Sequence, residues 1–209
     1  MNKLFSLKFL LLALAAVGML SISSCEKEPD NTINGHEYVD LGLPSGTKWA
    51  TCNVGATTPE EYGNYYAWGE TTVKSEYTEE NCTTYGVELT DISGNATYDA
   101  ARANWGGSWR MPTKAECIEL ENYCTWTWTT QSGVNGMKVT GPNGNSIFLL
   151  AAGIVDELVH SEPCGYYWSS SISTWGESSY AQGLRFSSGA TDILNIPSSD
   201  GLTIRPVLP

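Results

Sequence analysis

The sequence contains few basic residues. Lys and Arg together number 11 against 23 Asp and Glu, and the formal net charge of the 209 residues is −12. Binding to nucleic acid depends on a basic patch that neutralises phosphates, and docking on anionic lipid also requires Lys and Arg at the surface. The shortage of cations therefore argues against nucleic acid as a partner and against direct docking of the protein surface on a membrane.

Long hydrophobic runs are also lacking. The apolar stretch over residues 9–20 has twelve residues, too few to cross a bilayer core of about 30 Å. Lys3 and Lys8 precede it, and Ile22-Ser-Ser-Cys25 follows it. This order of basic region, short apolar region and small residues before a cysteine predicts a lipoprotein signal peptide over 1–24, with Cys25 lipidated after cleavage. An ordinary signal peptide with an incidental cysteine is the alternative.

Three segments follow from this prediction. The signal peptide is followed by a lipidated tether over 25–35 and a single domain over 36–209, which is long enough to bury a core. Residues 1–24 hold two lysines and no acids, so their removal changes the net charge from −12 to −14. The lipid is then the only predicted attachment to the membrane.

The remaining cysteines do not form a metal-binding pattern. Five follow Cys25, none in a C-x₂-C spacing, and an odd number leaves at least one outside any disulfide. Cys117 and Cys124 lie seven residues apart on a predicted helix, which separates them by about 10 Å. Because disulfide Cα atoms lie within about 7 Å, these two are not expected to pair. Buried thiols are the favoured interpretation.

The sequence pattern indicates an α+β domain with many short strands. Thr113-x-x-Glu116 after Pro112 is a capping box and predicts a helix over 113–124. Residues 70–98 are polar without periodicity and are predicted to be a long loop. Predicted strands cover 36–41, 47–54, 125–129, 137–140, 146–152, 166–170, 180–186 and 202–207.

Several segments resemble those of one bacterial family. They are Tyr38-Val-Asp-Leu-Gly-Leu43, Lys48-Trp-Ala-Thr-Cys-Asn-Val-Gly55, Tyr65-Tyr-Ala-Trp-Gly-Glu70, Gly107-Ser-Trp-Arg-Met-Pro-Thr113, Tyr167-Trp-Ser-Ser170 and Ile204-Arg-Pro-Val207. The chain thereby resembles Bacteroidetes surface lipoproteins that carry the Fibrobacter succinogenes major paralogous domain. In addition, Arg110–Glu116 resembles the helix entry of formylglycine-generating enzymes.

This resemblance implies a C-type-lectin-like fold, with a twisted, mostly antiparallel sheet, one or two helices and a long-loop face for ligands. Some relatives are variable proteins diversified by retroelements in their C-terminal loops. The acidic run after Cys25 is similar to the surface-export signal of such lipoproteins, which implies an outer-membrane protein facing the cell exterior. A solvated linker is the alternative interpretation of the run.

Catalytic and metal motifs are not apparent. His36 and His160 lie outside recognisable motifs, and Cys164 has no later cysteine with which to hold copper as formylglycine enzymes do. Glu162-Pro163 is followed by cysteine and not by the asparagine of calcium-dependent lectins. Asp156, Glu157 and Glu162 could form a glycosidase pair, but acidic residues are abundant throughout. We expect no enzyme activity, cofactor or metal.

Two C-terminal loops are predicted to bind an extracellular protein or glycan. Trp175 lies in a loop of Ser, Gly and Thr, a composition typical of antibody-like binding surfaces; folding back over its own loop is the alternative. The second loop lies between Phe186 and the strand over 202–207. The predicted ligand-binding residues are Trp175, Glu177, Gln182, Arg185, Asp192, Asn195, Ser198, Ser199 and Asp200. A structural or adhesin subunit, such as a pilus tip, and a formylglycine-type oxidase are the alternative functions.

Overall fold

The computed structural model of the protein describes residues 31–155, 163–173 and 175–209. The predicted signal peptide, the predicted lipidation site Cys25 and most of the predicted tether therefore lie outside the described residues. So do His160 and the carboxylates of Asp156, Glu157 and Glu162.

The described residues form short strands with two helices. In chain order these are β1 (Thr32–Ile33), β2 (His36–Asp40), β3 (Lys48–Ala50), α1 (Ala100–Trp105), α2 (Lys114–Tyr123), β4 (Thr125–Gln131), β5 (Val134–Thr140), β6 (Ser146–Leu150), β7 (Gly165–Ile172), β8 (Tyr180–Phe186), β9 (Thr191–Pro197) and β10 (Val207–Leu208). They build three sheets with the orders β1-β2-β3-β10, β4-β5-β6 and β7-β8-β9, in which every strand pair is antiparallel. The predicted α+β class is confirmed.

Helix α2 begins where its capping box predicts. The Thr113 hydroxyl accepts a hydrogen bond from the Glu116 amide, and the Glu116 carboxylate accepts one from the Thr113 amide. Both contacts satisfy donors that the first turn of a helix leaves unpaired. The helix then packs against β7, β8 and β9, where Cys117 and Leu120 join Leu184 and Phe186 in one apolar cluster.

A buried arginine ties the C-terminal segment to the first hairpin. The Arg205 side chain is fully buried and donates to Asn53 Oδ1 at 2.8 Å, to the Ala50 carbonyl at 3.2 Å and to the Thr51 carbonyl at 2.9 Å. The neighbouring Val207 lies opposite Trp49 of β3. The first sheet is thus assembled from both ends of the domain.

Part of the predicted tether is folded. Residues 31–35 belong to the same compact unit as the rest of the domain, and β1 pairs with β2 through a turn at Asn34 and Gly35, both with positive φ. The Ile33 carbonyl also accepts a hydrogen bond from Trp109 Nε1 at 2.9 Å. The domain therefore begins at about residue 31, five residues before the predicted boundary.

Three further elements differ from the predictions. The segment 202–207, predicted to be a strand, forms isolated bridges at Leu202 and Thr203, and only Val207 of it belongs to a strand, β10. Helix α1 lies directly after the predicted loop over 70–98, capped by the Asp99 side chain, while 70–98 itself has neither helix nor strand, as predicted. Strand β9 occupies much of the segment that we predicted to be the second ligand-binding loop. In the described part of the chain, neither helix has the length and apolarity needed to cross a bilayer.

Candidate functional site

The loop that holds Trp175 borders a groove of about 350 Å³. One wall is Val87–Thr90, from the long irregular segment, and the other is formed by the end of β7, the loop after it and Tyr180. Trp68, which is 2% exposed, contributes to the floor. The residues that line the groove are Trp68, Val87, Glu88, Leu89, Thr90, Ile172, Ser173, Gly176, Glu177, Ser178 and Tyr180.

Hydrogen bonds hold the two walls together. The Asp91 carboxylate accepts from the hydroxyls of Ser170 at 2.9 Å and Ser171 at 2.8 Å. At the other end, the Ser178 hydroxyl donates to the Gly86 carbonyl at 3.0 Å. Because these contacts already fix the irregular segment against β7 and its loop, a ligand would not have to order them on binding.

Trp175 is exposed beside this groove. Its side chain is 64% exposed, and its ring centroid lies 5.3 Å from that of Tyr180 at an interplanar angle of 60°. The backbone amide of Trp175 donates to the Ser173 hydroxyl at 3.0 Å. The indole thus has an edge contact with the groove residue Tyr180, while most of its surface stays exposed. The side chain is neither fully free nor fully folded back over its own loop.

Two other apolar side chains are exposed at the same place. Val87 is 41% exposed and Ile172 is 46% exposed, and both line the groove. Together with Trp175 they form what we call the groove rim. Exposed apolar side chains gathered around one cavity are characteristic of binding sites on soluble proteins.

Ser198 and Ser199 do not belong to the ligand surface that we predicted. They are 0% and 4% exposed. The Ser198 carbonyl accepts from the Trp68 amide at 2.8 Å, and its amide donates to the Ser179 carbonyl at 2.8 Å. These two serines support the groove from beneath, because the chain turns inward after β9. Asp200, which follows, is half-buried.

The pairing of β8 with β9 also divides the predicted site. Gln182 lies opposite Asn195, and Arg185 lies opposite Asp192. Because side chains alternate between the faces of a strand, an odd separation of three residues puts these two pairs on opposite faces of the sheet. Gln182 is only 2% exposed, and its Nε2 donates to Asn195 Oδ1 at 2.5 Å. The expectation that Gln182 and Arg185 extend one ligand face is therefore wrong.

Arg185 and Asp192 lie at the far end of their strands from Trp175. Arg185 Nη1 lies 3.5 Å from Asp192 Oδ2, and its Nε donates to the Tyr166 hydroxyl. Tyr180 and Arg185 are five residues apart on β8, which is about 17 Å along a strand. Of the nine predicted ligand-binding residues, the structure brings only Trp175 and Glu177 together at the groove.

The groove wall formed by Val87–Thr90 of the irregular segment is not among the predicted ligand-binding residues. Val87 and Leu89 alternate with the polar residues Glu88 and Thr90, a local strand-like pattern that was available as a signal. It was too short to distinguish from the surrounding polar loop. Trp68 was also missed, because its place beneath the groove depends on the chain after β9.

The groove is acidic. Glu88 and Glu177 are both exposed, and no Lys, Arg or His occurs among the described residues that line it. In residues 31–155, 163–173 and 175–209, no group of three or more His, Cys, Asp or Glu is arranged to hold a metal ion. The groove offers carboxylates, hydroxyls and apolar surface to a ligand.

Two of the cysteines are poorly suited to nucleophilic chemistry. Burial raises the pKa of the Cys117 thiol well above its usual range, and burial also raises that of Cys124, to about 11. The thiolate is the reactive form, so both side chains remain protonated at neutral pH. Cys117, on α2, is buried in an apolar cluster, and Cys124, directly after the helix, is partly buried against the same cluster.

A second cavity, of about 470 Å³, lies near His36 and Cys52. The His36 imidazole is stacked on Trp105, with ring centroids 3.7 Å apart and planes within 4°, and burial lowers its pKa. The histidine is therefore engaged in packing against Trp105 at the end of α1. None of the predicted ligand-binding residues lines this cavity.

Comparison with protein-family models, with curated proteins and with solved structures gave no match to this chain.

Proposed function

We propose that the protein is a lipid-anchored envelope protein that binds an extracellular protein or glycan at the groove beside Trp175. The observation that carries this proposal is a tryptophan that is 64% exposed and rests on Tyr180 at the edge of a cavity with fixed walls. Large exposed aromatic side chains next to preformed pockets contribute much of the binding energy in protein interfaces. The proposal assigns no catalytic role to the groove.

The proposed fold is C-type-lectin-like. This assignment rests on the resemblance of the sequence segments, and the antiparallel sheets, two helices and long irregular segment are compatible with it. The groove lies where a long irregular segment meets the loop between two strands, and ligand sites commonly occur on loops that a rigid scaffold positions. Diversification of the Trp175 loop by a retroelement is part of the same proposal.

The proposed location is the outer membrane, with the domain facing the cell exterior. Support comes from the signal-peptide pattern before Cys25 and from the acidic run that follows it. The lipid would hold the protein at the membrane, and the mature net charge of −14 would disfavour further contact with anionic headgroups.

The test compares Trp175→Ala with Tyr123→Ala. Tyr123, at the end of α2, is 55% exposed, so it serves as a matched exposed aromatic away from the groove. Trp175→Ala should weaken binding to intact target cells or to a glycan array at least about tenfold. Its melting temperature should stay within about 4 °C of the unsubstituted protein, since little buried surface is lost. Tyr123→Ala should change neither quantity.

Two results would contradict the proposal. One is unchanged binding by Trp175→Ala together with an intact fold. The other is a loss of binding that Tyr123→Ala reproduces, because that would show a general effect of removing exposed aromatics and no role for the groove.

A further inference from the structure

We infer that the groove binds a basic side chain, Lys or Arg, of a partner protein. This inference deepens the proposed function and rests on it, because it names the chemistry of the ligand at the same groove. It follows from the charges, the apolar rim and the aromatic pair that the groove brings together.

The first observation is uncompensated negative charge. Glu88 and Glu177 line the groove, and none of the described lining residues is a cation. Elsewhere in the described chain, two carboxylates with little exposure are paired with cations, Glu70 with Lys74 and Glu116 with Arg110. The buried Asp99 carboxylate is instead satisfied by backbone amides. A ligand that covers the groove removes water from Glu88 and Glu177, and a cation compensates that loss more fully than a neutral hydroxyl does.

The second observation is the apolar character of the rest of the groove. Val87, Leu89 and Ile172 line the same groove as the two carboxylates and the buried Trp68, and they give it aliphatic surface. Lys and Arg carry an aliphatic stem that packs along such surface while the charged end reaches a polar partner. A short cation without a stem would leave this surface uncovered.

The third observation is the pair of aromatic rings. Trp175 remains largely exposed against Tyr180, and an indole is the preferred aromatic partner of a cation, with Arg the more frequent cation in proteins. A guanidinium that binds the carboxylates of the groove would therefore have an exposed indole nearby, because Trp175 rests on the lining residue Tyr180.

The net charge of the whole protein also favours a basic ligand. The mature chain carries a net charge of −14, and such a field attracts cationic segments and repels anionic ones. Acidic glycans and nucleic acids are accordingly disfavoured at this groove. A neutral glycan would gain nothing from the field, so the dependence of binding on salt distinguishes it from a basic peptide.

The experiment selects random short peptides against the full lipidated chain in detergent. The enriched peptides should contain Lys or Arg beside aliphatic residues. In a resynthesised peptide, replacement of Arg by citrulline, or of Lys by norleucine, should weaken binding at least about tenfold, because the charge is removed while the aliphatic stem is kept. Binding of the basic peptide should also weaken as the salt concentration rises.

Matched variants of the protein test whether the charge dependence of peptide binding comes from Glu88 and Glu177. Glu88→Gln/Glu177→Gln should lose at least about tenfold in affinity for the basic peptide and should no longer distinguish it from the neutral copy. Glu37→Gln/Glu76→Gln removes the same charge from exposed positions outside the groove and should stay within about twofold of the unsubstituted protein.

Several outcomes would overturn the inference. They are enrichment of peptides without basic residues, no enrichment at all, equal binding of the citrulline copy, and equal losses in the two double variants. Trp175-dependent binding of a neutral glycan that Glu88→Gln/Glu177→Gln leaves unchanged would overturn the inference but would leave the proposed function standing. If no ligand were found whose binding depends on Trp175, the proposed function itself would be contradicted.

Discussion

Replacing Glu116 by Gln should destabilise the domain strongly, although the change removes only a charge. Both carboxylate oxygens accept from the Arg110 guanidinium, at 2.8 and 2.6 Å. The same carboxylate accepts from the Thr113 amide at 2.8 Å and from the Thr47 hydroxyl at 2.9 Å. Glu116 therefore joins the start of α2 to the loop before β3 and to the strand-like segment at Arg110.

The expected loss of unfolding free energy in Glu116→Gln follows from the burial of the Arg110–Glu116 ion pair. The side chains of Arg110 and Glu116 are 19% and 12% exposed. Removing one partner of a fully buried pair costs about 3–5 kcal/mol, because the other charge is left uncompensated. Water reaches part of this pair and the Gln amide keeps one acceptor, so we expect Glu116→Gln to lower the free energy of unfolding by about 2–3 kcal/mol.

The effect should depend on pH. Burial alone would raise the pKa of the Glu116 carboxyl, but the hydrogen bonds from Arg110 and Thr113 outweigh it and hold the pKa below its usual value. A carboxyl with a lower pKa in the folded state stabilises the fold above the unfolded pKa of about 4.3. That stabilisation is lost as the pH falls through the folded pKa, so the difference between Glu116→Gln and the unsubstituted protein should shrink there.

Urea denaturation at neutral and acidic pH measures both the loss of unfolding free energy in Glu116→Gln and the dependence of that loss on pH. Glu76→Gln, at an exposed position, is the control and should change the free energy of unfolding by no more than about 0.5 kcal/mol. The reasoning would be refuted by a Glu116→Gln effect as small as that of the control at neutral pH. A large destabilisation by Glu116→Gln that persists unchanged at acidic pH would show that the charge of Glu116 is not its cause.

Three further predictions follow. Thr113→Ala should lower the free energy of unfolding by about 1 kcal/mol through loss of the N-cap, and an unchanged denaturation midpoint would contradict the observed role of the hydroxyl. Cys25→Ser should abolish palmitate labelling and partitioning into detergent, whereas normal labelling would show that the anchor is elsewhere. A thermal melt should be insensitive to chelator and to reductant, since Cys52, Cys82, Cys117 and Cys124 are thiols; a large fall in melting temperature under either condition would contradict this.

Elements with local signals could be predicted from the sequence. Helix α2 begins at Thr113 because a capping box depends on residues only three positions apart. The turn at Asn34 and Gly35 carried an equally local signal, since Asn-Gly favours the positive φ values that a tight hairpin needs. That signal was missed because the surrounding segment is polar and follows the predicted anchor.

Elements that depend on distant partners could not be predicted. Strand β9 contains Asp192 and Asn195, which are uncommon in strands, and it is stabilised by pairing with β8 along its whole length. Ser198 resembles an exposed loop residue in the sequence but is buried through hydrogen bonds with Trp68 and Ser179. Burial of this kind depends on which segments meet in space, and a linear pattern does not contain that information.

In the candidate site, too, one part has a local sequence signal and the other depends on distant segments. The loop of Trp175 was identified from its own composition, and the aromatic side chain is indeed exposed. The opposite wall lies more than 80 positions earlier, as the Ser178–Gly86 contact shows with a separation of 92 residues. Only the folded chain reveals that the irregular segment and the Trp175 loop form one groove.

The Arg205 contacts have a consequence for the kinetics of folding. Arg205 and the Ala50 carbonyl are separated by 155 residues in the chain, so the first sheet has a very high contact order. Closing such a long loop costs chain entropy before its contacts form, and non-local topology slows folding. The sheet cannot be completed until residues 205–208 have been synthesised. During elongation at about 5–20 residues per second, the nascent chain therefore lacks the closing strand of this sheet for most of the synthesis of the domain.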